Sequence, residues 1–158
     1  MDTDVRTEAG RPTVAGGGSS SASQGPAGGT GRPRARAWQP VALWAVLIFG
    51  LSSLPGSRVP SVPVPHLDKV VHFALYATFG VLLALALRRR WPSRPALVLL
   101  LAWALAVVYG ASDEFHQLFV AGRSADPADL AADAVGALVG AGAVMVASGQ
   151  RRRRPPLW

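Results

Sequence analysis

The chain has no cysteine. Disulfides, thiolate nucleophiles and cysteine-ligated zinc or iron–sulfur centres are therefore excluded. It has a single lysine, Lys69, so 15 of its 16 basic residues are arginine. Acids are scarce as well: nine in 158 residues, three of them within the first eight positions. Histidine occurs three times and tyrosine twice. There is no Gly-x-Ser-x-Gly nucleophile elbow, no His-Glu-x-x-His and no histidine pair at helical spacing, so the short signatures of serine hydrolases and zinc proteases are missing.

What the chain has in quantity is apolar surface. Half of its residues are hydrophobic. They do not form amphipathic stripes but collect in four blocks, about Trp38 to Leu54, Leu67 to Leu87, Ala96 to Ser112 and Ala128 to Ala147. The length suits one domain, and the blocks predict an all-α fold, a bundle of four transmembrane helices. The first block is short for a span, with Trp38 at an interface and Pro40 in the expected first turn. Four prolines between Pro55 and Pro65 predict an extended loop. The helical pattern of the third block can be carried on through Asp113 to Phe119, and Gly122 breaks it. Asp126-Pro127 is a good cap followed by proline at the first helical position. Residues 1–36 are dominated by Gly, Ser, Ala, Pro and Thr, with runs such as Gly16-Gly17-Gly18-Ser19-Ser20-Ser21. Such a segment buries too little surface to offset its ordering entropy and is expected to be a disordered tail. It does not read as a signal peptide, because no apolar core follows the start. The expected organisation is a tail at 1–36, the membrane domain at 37–150 and a basic tail at 151–158.

The formal charge of +7 could suggest nucleic acid. The arginines flank apolar blocks, however, where they act as topology signals and anionic-lipid contacts. Arg32, Arg34 and Arg36 precede the first block. Arg88, Arg89, Arg90 and Arg94 separate the second from the third, and Arg151–Arg154 follow the fourth. The other two loops hold only Arg58 and Arg123. The positive-inside bias then puts both termini in the cytoplasm.

With that orientation every acid beyond position 8 falls at the extracytoplasmic end: Asp68, Asp113, Glu114, Asp126, Asp129 and Asp133. Lys69 and the histidines His66, His72 and His116 accompany them. Ionisable groups at the edge of hydrocarbon are costly, so the cluster marks a functional site. Lys69, His72 and Tyr76 are spaced to share one helix face, with Tyr76 about 10 Å deeper than Lys69. Asp68 and His72 are placed to pair at i, i+4. Gly110, Asp113, Glu114 and Gln117 share a face of the third helix, and Asp126, Asp129 and Asp133 a face of the fourth.

These residues carry a resemblance. Asp68-Lys69-x-x-His72-Phe73-x-x-Tyr76, Asp113-Glu114-x-x-Gln117-x-Phe119, Gly122-Arg123 and Asp129-Leu130-x-x-Asp133-x-x-Gly136, in this order, are similar to the motifs of the VanZ-like membrane proteins. The resemblance covers about residues 66–142. Asp133 stands where that family more usually has asparagine, and His116 is outside the pattern. The resemblance implies an integral membrane protein of the cell envelope, linked through the founding member to low-level teicoplanin resistance, that binds or acts on cell-wall or lipid-linked material. It supplies no reaction.

The candidate ligand-binding residues are thus Lys69, His72, Tyr76, Asp113, Glu114, Gln117, Arg123, Asp129 and Asp133. Three functions remain open. The cluster can bind an amphiphile with a charged head and an acyl tail. It can be a membrane hydrolase or transferase for a lipid-linked phosphate, with His72 and Glu114 or Asp113 as acid and base and Lys69 with Arg123 holding the phosphate. Or it can be a polar network in which Lys69 and Arg123 only neutralise carboxylates. His72 with Asp68, Glu114 or Asp133 has zinc-ligand chemistry, but without a local signature no metal and no cofactor is assigned. Membrane lipids are the expected partners and nucleic acid is not. Gly136-x-x-x-Gly140 is expected to serve close packing within the chain.

Overall fold

In the computed structural model, residues 32–58 and 66–153 are described, with side chains from 36 to 58 and 66 to 150. Most of the expected tail at 1–36, the stretch 59–65 of the proline-rich loop and the end of the chain beyond Arg153 lie outside these limits. Among the described residues the protein is all-α. Four helices follow one another: α1 (Arg32–Ser52), α2 (Leu67–Arg88), α3 (Pro95–Gln117) and α4 (Pro127–Arg153), with a short 3-10 turn at Gly56–Arg58 after α1.

Three of them, at Leu67–Arg88, Pro95–Gln117 and Pro127–Gln150, are long and apolar enough to cross a membrane. At 1.5 Å per residue they measure about 33–36 Å, against roughly 30 Å of hydrocarbon. α1 is not among them. It is 21 residues long, but it begins at Arg32 and carries three arginines in its first five positions, which shortens its apolar run. This start also places Pro40 inside the helix rather than in its first turn. The Arg36 carbonyl consequently has no N–H to accept from at position 40.

Lipid tails give helices no hydrophobic reason to associate, so small residues and polar contacts do the packing. The closest pair is α2 with α4. A methyl group at Gly136 would collide with the Phe73 carbonyl, at Gly140 with the Ala77 carbonyl, and one at Gly80 with the Ala137 carbonyl. The Gly136-x-x-x-Gly140 pair is therefore used within the chain. α3 presents Val98, Ala102, Ala106 and Gly110 at four-residue intervals, all buried, and the same stripe continues into buried Asp113, Glu114 and Gln117. Indole and phenol groups donate to backbone carbonyls across helices: Trp44 to Leu75 at 3.0 Å, Trp103 to Ala134 at 3.1 Å and Tyr109 to Ala45 at 2.6 Å. Leu43, Val46, Leu100, Val108 and Val139 remain exposed on the outside, as a lipid-facing surface requires.

The connections at the polar end are clamped together. Gly56 N–H donates to the Ala121 carbonyl at 3.0 Å. A side chain at Gly56 would strike the Gly122 carbonyl, and Gly122 has φ +73°, a left-handed conformation that glycine adopts without a steric cost. Asp126 then starts α4 as expected. Its Oδ1 accepts from Ala128 N–H at 2.9 Å, and its carbonyl accepts from Asp129 N–H at 2.9 Å.

Candidate functional site

The polar residues form two tiers at this end of the bundle. The outer tier surrounds the single ammonium group. Lys69 Nζ donates to Asp68 Oδ2 at 2.7 Å, Asp126 Oδ2 at 2.6 Å and Asp129 Oδ1 at 2.9 Å. An ammonium has three protons, and all three are committed. Asp126 lies outside the spanning segments, and hydrogen bonding to Lys69 and to Ala128 N–H holds its carboxyl below the usual carboxylate range.

The inner tier is one turn deeper. His72 Nδ1 is in hydrogen-bond contact with Asp133 Oδ1 at 3.0 Å, joining α2 to α4. Glu114 Oε2 accepts from Asp126 N–H at 2.8 Å, which ties α3 to the start of α4. Ser52 Oγ donates to Asp113 Oδ2 at 2.6 Å, which ties in the last residue of α1. Gln117 Nε2 reaches Asp113 Oδ2 at 3.4 Å and Glu114 Oε1 at 3.5 Å, both long. Asp113, Glu114, Gln117, Asp129 and Asp133 are all buried, Asp133 completely. Tyr76 is 1% exposed. The expected gradient along α2 is present: Lys69 at the mouth, His72 mostly buried, Tyr76 sealed in.

Several buried atoms in this region have no partner among the described residues. They are Tyr76 Oη, Asp113 Oδ1, Asp133 Oδ2 and Arg123 Nε. Gly110 packs closely against two of these residues. The point where its Cβ would sit is 3.0 Å from Asp133 Oδ2 and 3.3 Å from Tyr76 Cε1.

Two expectations are corrected. Asp68 and His72 do not pair: Asp68 turns to Lys69, and His72 faces α4 and meets Asp133. Arg123 neutralises no carboxylate among the described residues, and Lys69 serves three at once, so a clamp of two free cations is not assembled. Of the three histidines only His72 contacts an acid. His66 is exposed at the start of α2 with φ +61°, and His116 stacks on Phe49 and meets Ser53 Oγ at 3.1 Å. Sequence reasoning missed Ser52, because a lone serine at the end of an apolar block carries no signal until the register of α1 against α3 is known. It also treated Asp126 mainly as a cap, whereas Asp126 makes the shortest contact to Lys69.

Membrane-length helices whose acids converge on one end define a multi-pass helical membrane protein with a buried polar centre. The profile of the VanZ/LLP1 family matches residues 30–148, and the chain belongs to that family. The match takes in all of the motif residues from Asp68 to Gly136. No curated protein and no solved structure matches the chain.

Proposed function

We propose that this VanZ-family protein is a four-span envelope protein that binds a lipid- or cell-wall-derived amphiphile at its extracytoplasmic end, and that this binding affects susceptibility to teicoplanin-type glycopeptides. α1 is the fourth span, its N-terminal end at the cytoplasmic face and its exposed Leu43, Val46, Leu47 and Phe49 in lipid. The observation that carries the reading is Arg123. It is half-buried, its Nε is sealed from solvent, and among the described residues no carboxylate neutralises it, although six acids lie at the same end. A guanidinium left open is suited to a phosphate or carboxylate head group. Leu118 and Phe119 are exposed just before the Gly122 turn and supply an apolar rim for an acyl chain.

The test is mass spectrometry of lipids and envelope precursors that co-purify with the protein. A uniform anionic amphiphile is expected with the parent and is lost in Arg123→Ala, while teicoplanin susceptibility shifts in the same variant. Recovery of the same lipid profile with Arg123→Ala, at equal protein yield, refutes the proposal. A changed product rather than a bound one would instead favour a hydrolase or transferase.

A further inference from the structure

The inner tier has more negative groups than the chain compensates. Asp113, Glu114 and Asp133 are buried on adjoining helices, and Lys69 spends its three protons on the outer tier. No ammonium or guanidinium contacts these three among the described residues, and the His72 imidazole is the one basic partner they have. Unpaired acids in low dielectric are expensive, so the site as it stands is short of positive charge. Two of its carboxylate oxygens, Asp133 Oδ2 and Asp113 Oδ1, and the Tyr76 hydroxyl are buried and unpartnered.

The geometry points to a divalent-cation site of the zinc type held by His72, Glu114 and Asp133. Their ligand atoms all lie within 4.8 Å of one another, with one nitrogen and two carboxylates as donors. Two of the ligands are already close to coordination spacing. His72 Nδ1 and Asp133 Oδ1 are 3.0 Å apart, against about 3.3 Å between neighbouring donors in a tetrahedron with bonds of roughly 2.0 Å. A cation entering between them replaces their shared proton and needs the pair to open by a few tenths of an ångström. Glu114 closes the set by an inward movement. Its Oε2 is anchored on Asp126 N–H, while Oε1 has only the long contact to Gln117 and is free to ligate. Three protein ligands leave a fourth position for water, and the Tyr76 hydroxyl is the buried donor available to it. The outer triad of Asp68, Asp126 and Asp129 has similar spacing, but Lys69 occupies it.

This inference does not depend on the amphiphile reading. The experiment uses full-length, tag-free protein in detergent or nanodiscs, stripped with a chelator and titrated with Zn²⁺. One zinc per chain is expected by elemental analysis, with a rise in melting temperature. Competition against a chromogenic chelator is expected to show at least roughly 100-fold weaker binding for His72→Ala and for Glu114→Gln. Asp68→Asn, which touches only the outer triad, keeps the parent affinity. Co²⁺ in the parent is expected to give the visible bands of four-coordinate nitrogen and oxygen ligation, a reading that requires no variant to fold. Failure to bind Zn²⁺, retention of full affinity in folded His72→Ala, loss in Asp68→Asn, or equal stabilisation by Ca²⁺ and Zn²⁺ would each overturn the assignment. The last outcome would mean carboxylates acting without the imidazole.

Discussion

Ser52→Ala is the sharpest test of how α1 is held to the bundle. Ser52 is the last residue of α1 and donates to Asp113 on α3 at 2.6 Å, with both residues buried. Alanine removes the donor and little else. Asp113 would then keep only the 3.4 Å contact from Gln117, with Oδ1 already unpartnered. Hydrogen bonds to charged groups contribute about 1.5–3 kcal/mol in soluble proteins. Polar contacts between membrane helices measure lower, about 0.6 kcal/mol on average and up to about 1.7. A buried, short bond to a carboxyl belongs near the top of the membrane range, so the expected loss is about 1.5 kcal/mol, roughly tenfold in the unfolding constant. The assay is reversible unfolding in mixed micelles followed by circular dichroism, with Asp113→Ala and the double variant completing a cycle. A coupling of about 1 kcal/mol is expected between the two positions. Ser112→Ala is the control: its exposed hydroxyl donates to the Tyr109 carbonyl of its own helix, and its loss is expected within about 0.5 kcal/mol. If Ser52→Ala behaves like Ser112→Ala and the cycle shows no coupling, the argument for this tether is wrong.

Two further outcomes are expected. In intact cells, cysteines at Ser57 and Ser124, both exposed, label with an impermeant thiol reagent, while one at Ser93 does not; the reverse pattern would put the acidic cluster in the cytoplasm. Gly140→Ala drives a methyl group into the Ala77 backbone and costs about 1–3 kcal/mol, whereas Gly142→Ala meets open space and is neutral or slightly stabilising; equal melting temperatures for the two would contradict the close α2–α4 contact.

The helices of this protein are legible in its sequence because membrane spans announce themselves by composition. The block expected from about Leu67 is α2, which starts there, and the Asp126-Pro127 cap is where the pattern puts it. The start of α1 was not, because an arginine-rich stretch reads as a flank and nothing local says that it is wound into the helix. Shared faces were legible too: the 110, 113, 114, 117 set is buried together on α3, as helical spacing requires. Partners across helices were not. His72 could be matched to Asp68 by sequence spacing, but the choice of Asp133 depends on α2 and α4 meeting at Gly136 and Gly140, where missing side chains let the backbones approach. The charge balance followed from the same register. Lys69 meets Asp68 beside it in sequence, but Asp126 and Asp129 only because α2 and the start of α4 come together, and the place of Arg123 in the loop after α3 depends on how that loop folds, which no local pattern encodes.

The α2–α4 contact also sets a timetable for biogenesis. Lys69 and His72 find Asp126, Asp129 and Asp133 at separations of 57, 60 and 61 residues. At about 5–20 residues per second, a ribosome needs roughly 3–12 s to make that intervening chain. For that interval α2 carries an ammonium and an imidazole with no tertiary partner, and α3 then arrives with two acids of its own. Groups stranded in mid-membrane for seconds would face the full desolvation penalty or be extracted. At the helix ends, interfacial water can solvate them until α4 is delivered. The placement of the cluster at one end thus makes sequential insertion feasible, and it makes delivery of the last helix the event that withdraws these groups from water.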